Sequence, residues 1–195
     1  MRTAQDWIDV LGLEAHVEGG YFRRTFQADH RPRTPTPAGE RYTLTSIHYL
    51  LTHGSPVGHW HLNRSDILHF HHHGEPVTYH LLDPDGRYST AVLGQDPDQG
   101  QLLTIAVPGG TWKASELTTG DHALISEAVA PGFDYADMTL GVSDELTARF
   151  PAHGDIIRRY CRSTPPRPPA RQGSRTATTA RGGDPEHTNT QLRQG

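Results

Sequence analysis

The sequence predicts an all-β domain, an antiparallel sandwich or barrel, with one helix before it and two short helices after it. Eight short segments are apolar throughout or alternate between apolar and polar residues, and turn signals such as DPDG, PGG and APG separate them. Short strands at this regular spacing are typical of sandwiches and barrels. The predicted strands are residues 21–26, 42–51, 67–71, 77–82, 89–93, 102–107, 123–129 and 135–140.

Helices are predicted at both ends of this domain. At the start, Thr3 can cap a first turn and Gly12 can end the helix. The apolar residues between them recur at helical spacing and are Trp7, Ile8 and Leu11. Residues 144–160 carry apolar side chains on both sides of Pro151, which predicts two short helices. Residues 29–41 are polar and rich in proline and predict a connecting loop, with a lid as the alternative.

The composition divides the chain into a domain and a tail. A chain of 195 residues has room for one domain with a hydrophobic core, here residues 1–162. Residues 163–195 contain one large aliphatic side chain, Leu192, and we expect this tail to be disordered. Residues 1–162 carry 13 basic and 20 acidic side chains, a net charge of −7, which argues against a nucleic-acid partner.

Cysteine usage and hydropathy bear on the compartment. Cys161 is the only cysteine, so the sequence excludes an internal disulfide and a thiolate metal cluster. No apolar stretch reaches the length of a membrane span, and the opening residues lack the basic-then-apolar pattern of a secretory signal. We therefore expect a cytoplasmic protein with no membrane partner.

Histidines are concentrated in one part of the sequence. Six of them lie in the fifteen positions from His59 to His73, written HWHLNRSDILHFHHH. His59 and His61 are two residues apart, which on a β-strand puts both imidazoles on the same face. Such a pair forms half of a divalent-metal site, or a pair of proton carriers near neutral pH. Residues 71–73 cannot all share one face, which favours a surface cluster there.

Several segments resemble a known family. GSPVGHWHLNRSD and VPGGTW resemble the two cupin motifs, a His-x-His half and a Pro-Gly-rich half on separate strands of a jelly-roll barrel. EGGYFRRTF and VAPGFDYADMTL extend the resemblance over residues 4–157, to the small cupin family of unknown function with an HPEGGYF-like opening. The resemblance implies a double-stranded β-helix, a pocket inside the barrel and a homodimer. It implies no single reaction, because a fold does not choose its chemistry.

Two positions depart from the metal-binding cupins that this chain resembles. Asp66 and Ile67 stand where similar sequences have Asp-Glu, so the expected carboxylate is missing. Lys113, the only lysine, stands where metal cupins place histidine and where this family commonly has glutamine. A lumenal lysine would oppose a metal cation, and it could instead act as a base, form a Schiff base or anchor an anionic substrate. Glu127 could replace the missing carboxylate or pair with Lys113.

The candidate site residues follow from these motifs. The metal candidates are His59, His61, Asp66 and Glu127, and the catalytic candidates are His59, His61, His69 and Lys113. His69 shares strand parity with Ile67, so it either lines the pocket or is a hydrogen-bonded interior histidine. The candidate substrate-binding residues are Glu18, Tyr21, Arg23 and Trp112. The opening motif has a structural alternative, an edge strand that closes the barrel against a dimer partner.

Three functions remain open at this point. The first is a cupin enzyme that acts on a small polar, sugar-like or carboxylate molecule, with iron, manganese, nickel or zinc held by His59 and His61. The second is a metal-free isomerase or epimerase of the sugar type, in which a histidine removes a proton next to a carbonyl. The third is a non-catalytic module that binds a small ligand in the barrel. No motif names the substrate.

Overall fold

Two antiparallel sheets pack face to face in the computed structural model, which describes residues 2–162. The strands are β1 (Glu14–Ala15), β2 (Tyr21–Gln27), β3 (Thr34–Thr36), β4 (Gly39–Arg41), β5 (Thr45–Thr52), β6 (Val57–Asn63), β7 (Asp66–Gly74), β8 (Val77–Leu82), β9 (Tyr88–Leu93), β10 (Thr104–Val107), β11 (Trp112–Leu117), β12 (His122–Ala130) and β13 (Met138–Leu140). One sheet has the order β1-β2-β5-β12-β7-β10, the other has the order β13-β6-β11-β8-β9, and β3 and β4 form a separate hairpin. The predicted all-β fold class is confirmed.

The barrel interior is filled from both sheets, because alternate residues of each strand point inward. One buried cluster joins Leu51 and Ile125 of the six-stranded sheet to Val77 and Tyr79 of the five-stranded sheet. The Tyr79 hydroxyl also lies 3.1 Å from His69 Nδ1. The apolar core therefore borders a polar cluster inside the barrel.

Helices cover the outer faces of the two sheets. They are α1 (Ala4–Leu11), α2 (Ser143–Arg149) and α3 (Gly154–Tyr160). Trp7 of α1 packs near Leu50 of the six-stranded sheet, and Ile157 of α3 belongs to a cluster with Trp60 of the five-stranded sheet. The helices predicted at both ends of the domain are confirmed.

The ends of α1 are those that the sequence predicts. The Thr3 side chain accepts the N–H of Asp6 at 3.2 Å, and the Asp6 carboxylate accepts the N–H of Thr3 at 2.8 Å. This reciprocal capping box satisfies backbone donors that the first turn leaves free. Gly12 ends the helix with φ = 59°, a left-handed conformation that glycine adopts without steric cost.

The segment predicted as a loop contains the hairpin β3–β4, so that prediction is wrong for residues 34–41. The hairpin is held by charge: buried Arg41 donates to both carboxylate oxygens of Asp137, with Nη2 3.1 Å from Oδ1. An ion pair leaves no apolar alternation in the sequence, which explains why hydrophobic periodicity does not reveal these strands.

Two other expectations concern the chain as a whole. The predicted disordered tail, residues 163–195, lies outside the described residues. Within residues 2–162, no helix combines the length and the apolar character that a membrane crossing needs. The homodimer stays a prediction.

Candidate functional site

Strand β6 carries one more residue than its partner β11 at the centre of the barrel. Lys113 pairs with His61 and Ser115 pairs with Gly58, so three steps along β6 lie against two steps along β11. One extra residue of this kind is a β-bulge, which interrupts the two-residue alternation of side chains. The bulge falls between Gly58 and His61 and therefore decides where the first histidine of the HWH motif points.

The two histidines of this motif do not converge. His61 Nε2 lies 3.2 Å from a carboxylate oxygen of Glu18, and His61 is buried. His59 Nδ1 lies 3.0 Å from the carbonyl oxygen of Tyr160 in α3, the helix that covers the outside of the five-stranded sheet. The expectation that both imidazoles share one face is wrong, because the bulge breaks the alternation on which it depends.

Inside the barrel, one lysine, one histidine and one glutamate form a closed cluster. His69 of β7 and Glu127 of β12 are direct cross-strand partners, and Lys113 reaches them from β11 in the other sheet. Lys113 Nζ lies 3.1 Å from His69 Nε2 and 3.6 Å from Glu127 Oε2, and His69 Nδ1 lies 3.3 Å from Glu127 Oε1. Lys113 is 3% exposed and His69 is fully buried. The structure thus places both residues in the lumen, as their strand positions predict.

The charges of this cluster are set by its contacts. Burial favours the neutral form of Glu127, but the ammonium group of Lys113 and the ring of His69 outweigh burial and hold the Glu127 pKa well below its usual range. Burial, and then the charge of Lys113, lowers the pKa of His69. At neutral pH the cluster is therefore an ion pair of Lys113 and Glu127, joined by a neutral imidazole.

Glu18 lies in a different electrostatic environment. Its pKa is raised to about 8, chiefly by burial; the charge of Lys113 opposes this shift and the charge of Glu127 adds to it. Burial, and then Lys113, also lowers the pKa of His61 well below its ordinary value. Both side chains are therefore neutral near pH 7.

Hydrogen bonds assign the protons of this neutral pair. His61 Nδ1 lies 2.7 Å from the carbonyl oxygen of His59, which can only accept, so Nδ1 carries the ring proton. His61 Nε2 then needs a donor and has none if Glu18 is ionised. A protonated Glu18 supplies it across the 3.2 Å separation. The unsatisfied nitrogen and the raised pKa of Glu18 therefore have one common explanation.

His16 completes this end of the site. Its Nδ1 accepts the backbone N–H of Glu18 at 3.3 Å, so its own proton lies on Nε2. The pKa of His16 is lowered to about 4, chiefly by burial; the charge of Glu127 opposes this shift and the charge of Lys113 adds to it. At neutral pH His16 is thus a neutral hydrogen-bond donor.

His16, Glu18 and Glu127 border a cavity of about 450 Å³. The cavity has the size of pockets that hold small molecules. Its polar lining includes His16, Glu18, Asn63 and Glu127. Its aromatic lining includes Phe22, Phe133 and Tyr135. One cavity therefore brings together a neutral carboxyl group, an ionised carboxyl group and an aromatic wall.

The structure places two predicted substrate-binding residues outside this cavity. Tyr21 packs against the apolar cluster beneath α1, and Arg23 is exposed and donates to the carbonyl oxygen of Leu11 at 2.9 Å. Their neighbours Phe22 and Arg24 line the cavity instead. The expectation of a pocket role for Tyr21 and Arg23 is wrong, because the opposite parity of β2 faces the lumen.

Two further candidates have structural surroundings. Trp112 is buried in the cluster beneath α2 and α3, so it does not meet a ligand in the cavity. Asp66 is exposed at the start of β7, and its carboxylate accepts the N–H of Gly109 at 2.8 Å. That bond fixes the turn before β11 and leaves Asp66 outside the lumenal cluster.

Sequence analysis missed most of the cavity lining, including the polar residues His16 and Asn63. His16 opens the segment HVEGGYF, and this position in the motif was its only signal. Asn63 follows the HWH motif by two residues, and after the bulge it shares the inward parity of His61. Both residues lie inside the segments that carry the family resemblance, but neither was named as a site candidate.

Comparison with known proteins agrees with this architecture. The family model described as Cupin superfamily (DUF985) matches residues 5–141. The chain belongs to this family. An uncharacterized protein of Saccharomyces cerevisiae is 36% identical to this cupin over 158 residues, which are 74% of this chain and 78% of the yeast protein.

Two solved structures are similar to this cupin over most of its length, each with a TM-score of 0.76. A hypothetical protein from Leishmania major is 30% identical, and the match covers 82% of this chain and 99% of that one. A protein from Shewanella oneidensis is 31% identical, with coverage of 83% and 99%. The predicted family and the barrel are confirmed, and these relatives bring no reaction with them.

The resemblance to metal cupins implies a divalent cation, and the lumenal residues do not fit one. The ammonium group of Lys113 already lies beside His69 and Glu127, the neutral imidazole and the carboxylate that a metal would need. Within residues 2–162, no group of three or more His, Cys, Asp or Glu side chains is arranged to hold a metal ion. A second cation next to Lys113 would be repelled.

Replacing Lys113 with histidine should create a metal site. The variant removes the ammonium group and puts an imidazole next to His69 and Glu127, so we expect affinity for Ni²⁺ or Mn²⁺ to rise at least about tenfold. Calorimetric titration of protein without a histidine tag measures this. Lys113→Gln is the matched control, because it removes the charge without adding a strong ligand and keeps every surface histidine. Tight binding by the natural protein, unchanged in Lys113→His, would contradict the assignment.

Proposed function

We propose that this cupin is a metal-free enzyme of the isomerase or epimerase type that moves a proton on a small polar carbonyl compound in the barrel cavity. The observation that carries the proposal is the pair Glu18 and Glu127. Both carboxyl groups line one cavity, and their surroundings move their pKa values in opposite directions. A pair of titratable groups with such separated pKa values is typical of an acid and a base that work together.

Glu127 suits the role of proton acceptor. Lys113 and His69 keep it ionised, and its carboxylate borders the cavity. In the proposed step Glu127 takes the proton from the carbon beside the carbonyl, and the electrons of that C–H bond form the C=C bond of an enol. The positive charge of Lys113, 3.6 Å from Glu127 Oε2, then favours the negative charge that develops during this step.

Glu18 suits the role of proton donor. It is protonated near neutral pH, and its pKa of about 8 lies close to the value that general acid catalysis needs. As Glu127 removes the carbon-bound proton, Glu18 gives its proton to the carbonyl oxygen. The reverse transfers complete an isomerisation, since Glu18 takes a proton from the neighbouring hydroxyl group and Glu127 returns one to carbon.

The lumenal contacts favour this proposal over the metal-dependent alternative, because a resident ammonium group takes the place of the cation. His61 positions Glu18 in this mechanism, because its Nε2 accepts the hydrogen bond of the protonated Glu18 carboxyl group. His59 has no direct part, because it contacts α3.

Hydrogen–deuterium exchange at carbon tests the proposal. Protein treated with EDTA is incubated in D₂O with sugar phosphates, nucleotide sugars and hydroxy acids, and proton NMR follows loss of the signal beside the carbonyl. We expect exchange with at least one compound, and we expect Glu18→Gln to slow it by at least about 100-fold. Glu14→Gln is the matched control, because Glu14 also lines the cavity but is exposed.

Three results would count against this function. Exchange that EDTA abolishes and Mn²⁺ or Fe²⁺ restores would support the metal-dependent alternative. Binding of a compound without exchange would support a non-catalytic binding module. Equal rates in the natural protein and in Glu18→Gln would remove Glu18 from the reaction.

A further inference from the structure

Asn63 is a buried polar residue with an unmet hydrogen-bonding need. Its side chain lines the cavity, the residue is 7% exposed, and Oδ1 has no hydrogen-bond partner among the described residues. Its backbone has a structural task, since its carbonyl oxygen accepts the N–H of Gly110 at 2.8 Å. The amide oxygen of the side chain has no such role, and a buried amide oxygen without a partner is uncommon in folded proteins.

Other polar residues of the cavity have hydrogen-bond partners within the protein. Thr45 lines the same cavity, and its hydroxyl oxygen accepts the N–H of Phe133 at 2.9 Å. Arg41 is tied to Asp137 by two hydrogen bonds. Among the described residues that line the cavity, Asn63 is the one with a buried side-chain atom, Oδ1, that lacks a hydrogen-bond partner, which points to a partner on a bound molecule.

The chemistry of the amide narrows the choice of partner. An amide presents an acceptor and a donor side by side, and a hydroxyl group can meet both. An ammonium group can only donate, and Lys113 in the same lumen disfavours it. A carboxylate can only accept, so it cannot satisfy Oδ1. A neutral hydroxyl group is therefore the best match.

We propose that Asn63 binds the hydroxyl group next to the carbonyl, so that the substrate is an α-hydroxycarbonyl compound such as an aldose or a 2-hydroxy acid. The proposal rests on the proposed function, because isomerisation through an enediol needs a hydroxyl group beside the carbonyl. His16 Nε2–H, on the same cavity wall, is a donor for the carbonyl oxygen. Asn63 is then a specificity-determining residue, separate from the acid and the base.

Paired ligands test this assignment. The probes are ribose phosphate with deoxyribose phosphate, glucose phosphate with deoxyglucose phosphate, and lactate with propanoate, where each second compound lacks the hydroxyl beside the carbonyl. Calorimetry or ligand-observed NMR gives each Kd. We expect the natural protein to bind at least one hydroxylated compound about tenfold or more tightly than its partner, and Asn63→Leu to bring that ratio to about one.

A structural role for Asn63 would give a different result. Leucine has a similar volume and leaves no unpaired oxygen, so we expect Asn63→Leu to keep or raise the Tm. Thr45→Val is the control, because it breaks the bond to Phe133 and should lower the Tm while leaving the hydroxyl preference intact. Should Asn63→Leu lose Tm by misfolding, Asn63→Ala provides the same comparison of paired ligands.

The outcomes separate this inference from the proposed function. Hydroxyl preference that survives in Asn63→Leu and Asn63→Ala, absence of any preference in the natural protein, or failure to bind any probe would overturn the role of Asn63. A preference that depends on Asn63, without proton exchange in D₂O, would overturn the proposed reaction and leave the recognition of the hydroxyl group standing.

Discussion

Replacing Lys113 with methionine should lower the free energy of unfolding at neutral pH by about 3–5 kcal/mol. The substitution keeps the length of the side chain but leaves the Glu127 carboxylate without its cation, 3.6 Å away in the natural protein. It also removes the donor to His69 Nε2 at 3.1 Å. An unpaired charge inside a barrel costs more than the loss of a surface ion pair, because the barrel interior solvates the carboxylate less well than bulk water does.

The double variant Lys113→Met, Glu127→Gln separates this effect from a packing defect. It removes both charges, so we expect it to recover much of the lost stability in urea denaturation. Arg87→Met is the control for an exposed pair: the Arg87 side chain is 80% exposed and its Nε lies 3.0 Å from Asp83, so its loss should cost less than about 1 kcal/mol. A double variant as unstable as Lys113→Met would show that packing, not charge, determines the loss.

Hydrophobic periodicity predicts the strands whose inner side chains are apolar. Residues 77–82 are predicted with the bounds that β8 has in the structure, and its inward residues Val77 and Tyr79 belong to the apolar core. Strands β6 and β11 are absent from the predicted strands, although both are central. Their inner faces carry His61, Lys113 and Ser115, so the polar lumen removes the apolar signal. The strands that build the site are therefore the hardest to predict.

The side chains of the site are predicted less completely than the fold. The departure from the cupin motif at position 113 leaves open whether the lysine faces the lumen and whether Glu127 pairs with it, and the structure has both features. Strand parity places His69 in the lumen, where it lies. The position of His59 depends on a β-bulge. A bulge is set by the hydrogen-bond register between two strands, so the sequence of a single strand does not reveal it.

The opening motif shows a second limit. Residues 21–24, Tyr-Phe-Arg-Arg, put an aromatic and a basic residue on each face of β2, so alternation does not distinguish the lumenal face from the outer face. Packing beneath α1 decides the matter by covering Tyr21. The charge state of Glu18 is equally hidden, because it depends on burial and on contacts from distant parts of the chain.

The stability of the natural protein should fall relative to that of Glu18→Gln as the pH rises. In the unfolded chain Glu18 has a pKa near the ordinary value of 4.5, and in the folded protein burial raises it to about 8. The folded state therefore holds a proton that the unfolded state has released. The stabilising contribution of this proton is complete below about pH 4.5 and is lost as the pH rises through about 8.

The expected slope follows from proton linkage. Between these two pH values the natural protein should lose about 1.4 kcal/mol per pH unit relative to Glu18→Gln, whose amide can still donate to His61 Nε2. His16 has the opposite effect on stability, because burial lowers its pKa from 6.5 to about 4. Its contribution to the free energy of unfolding therefore rises as the pH rises from about 4 to 6.5. Both proteins contain His16, and its contribution cancels in the difference.

Urea denaturation of both proteins at pH values from roughly 5 to 9 measures this difference. Glu14→Gln is the control, since it removes an exposed glutamate of the same cavity and should follow the natural protein at every pH. Parallel stability curves for the natural protein and Glu18→Gln would mean that Glu18 is ionised in the folded state. His61 Nε2 would then lack the donor that its buried position requires, and the assignment of Glu18 as the proton donor would fall with it.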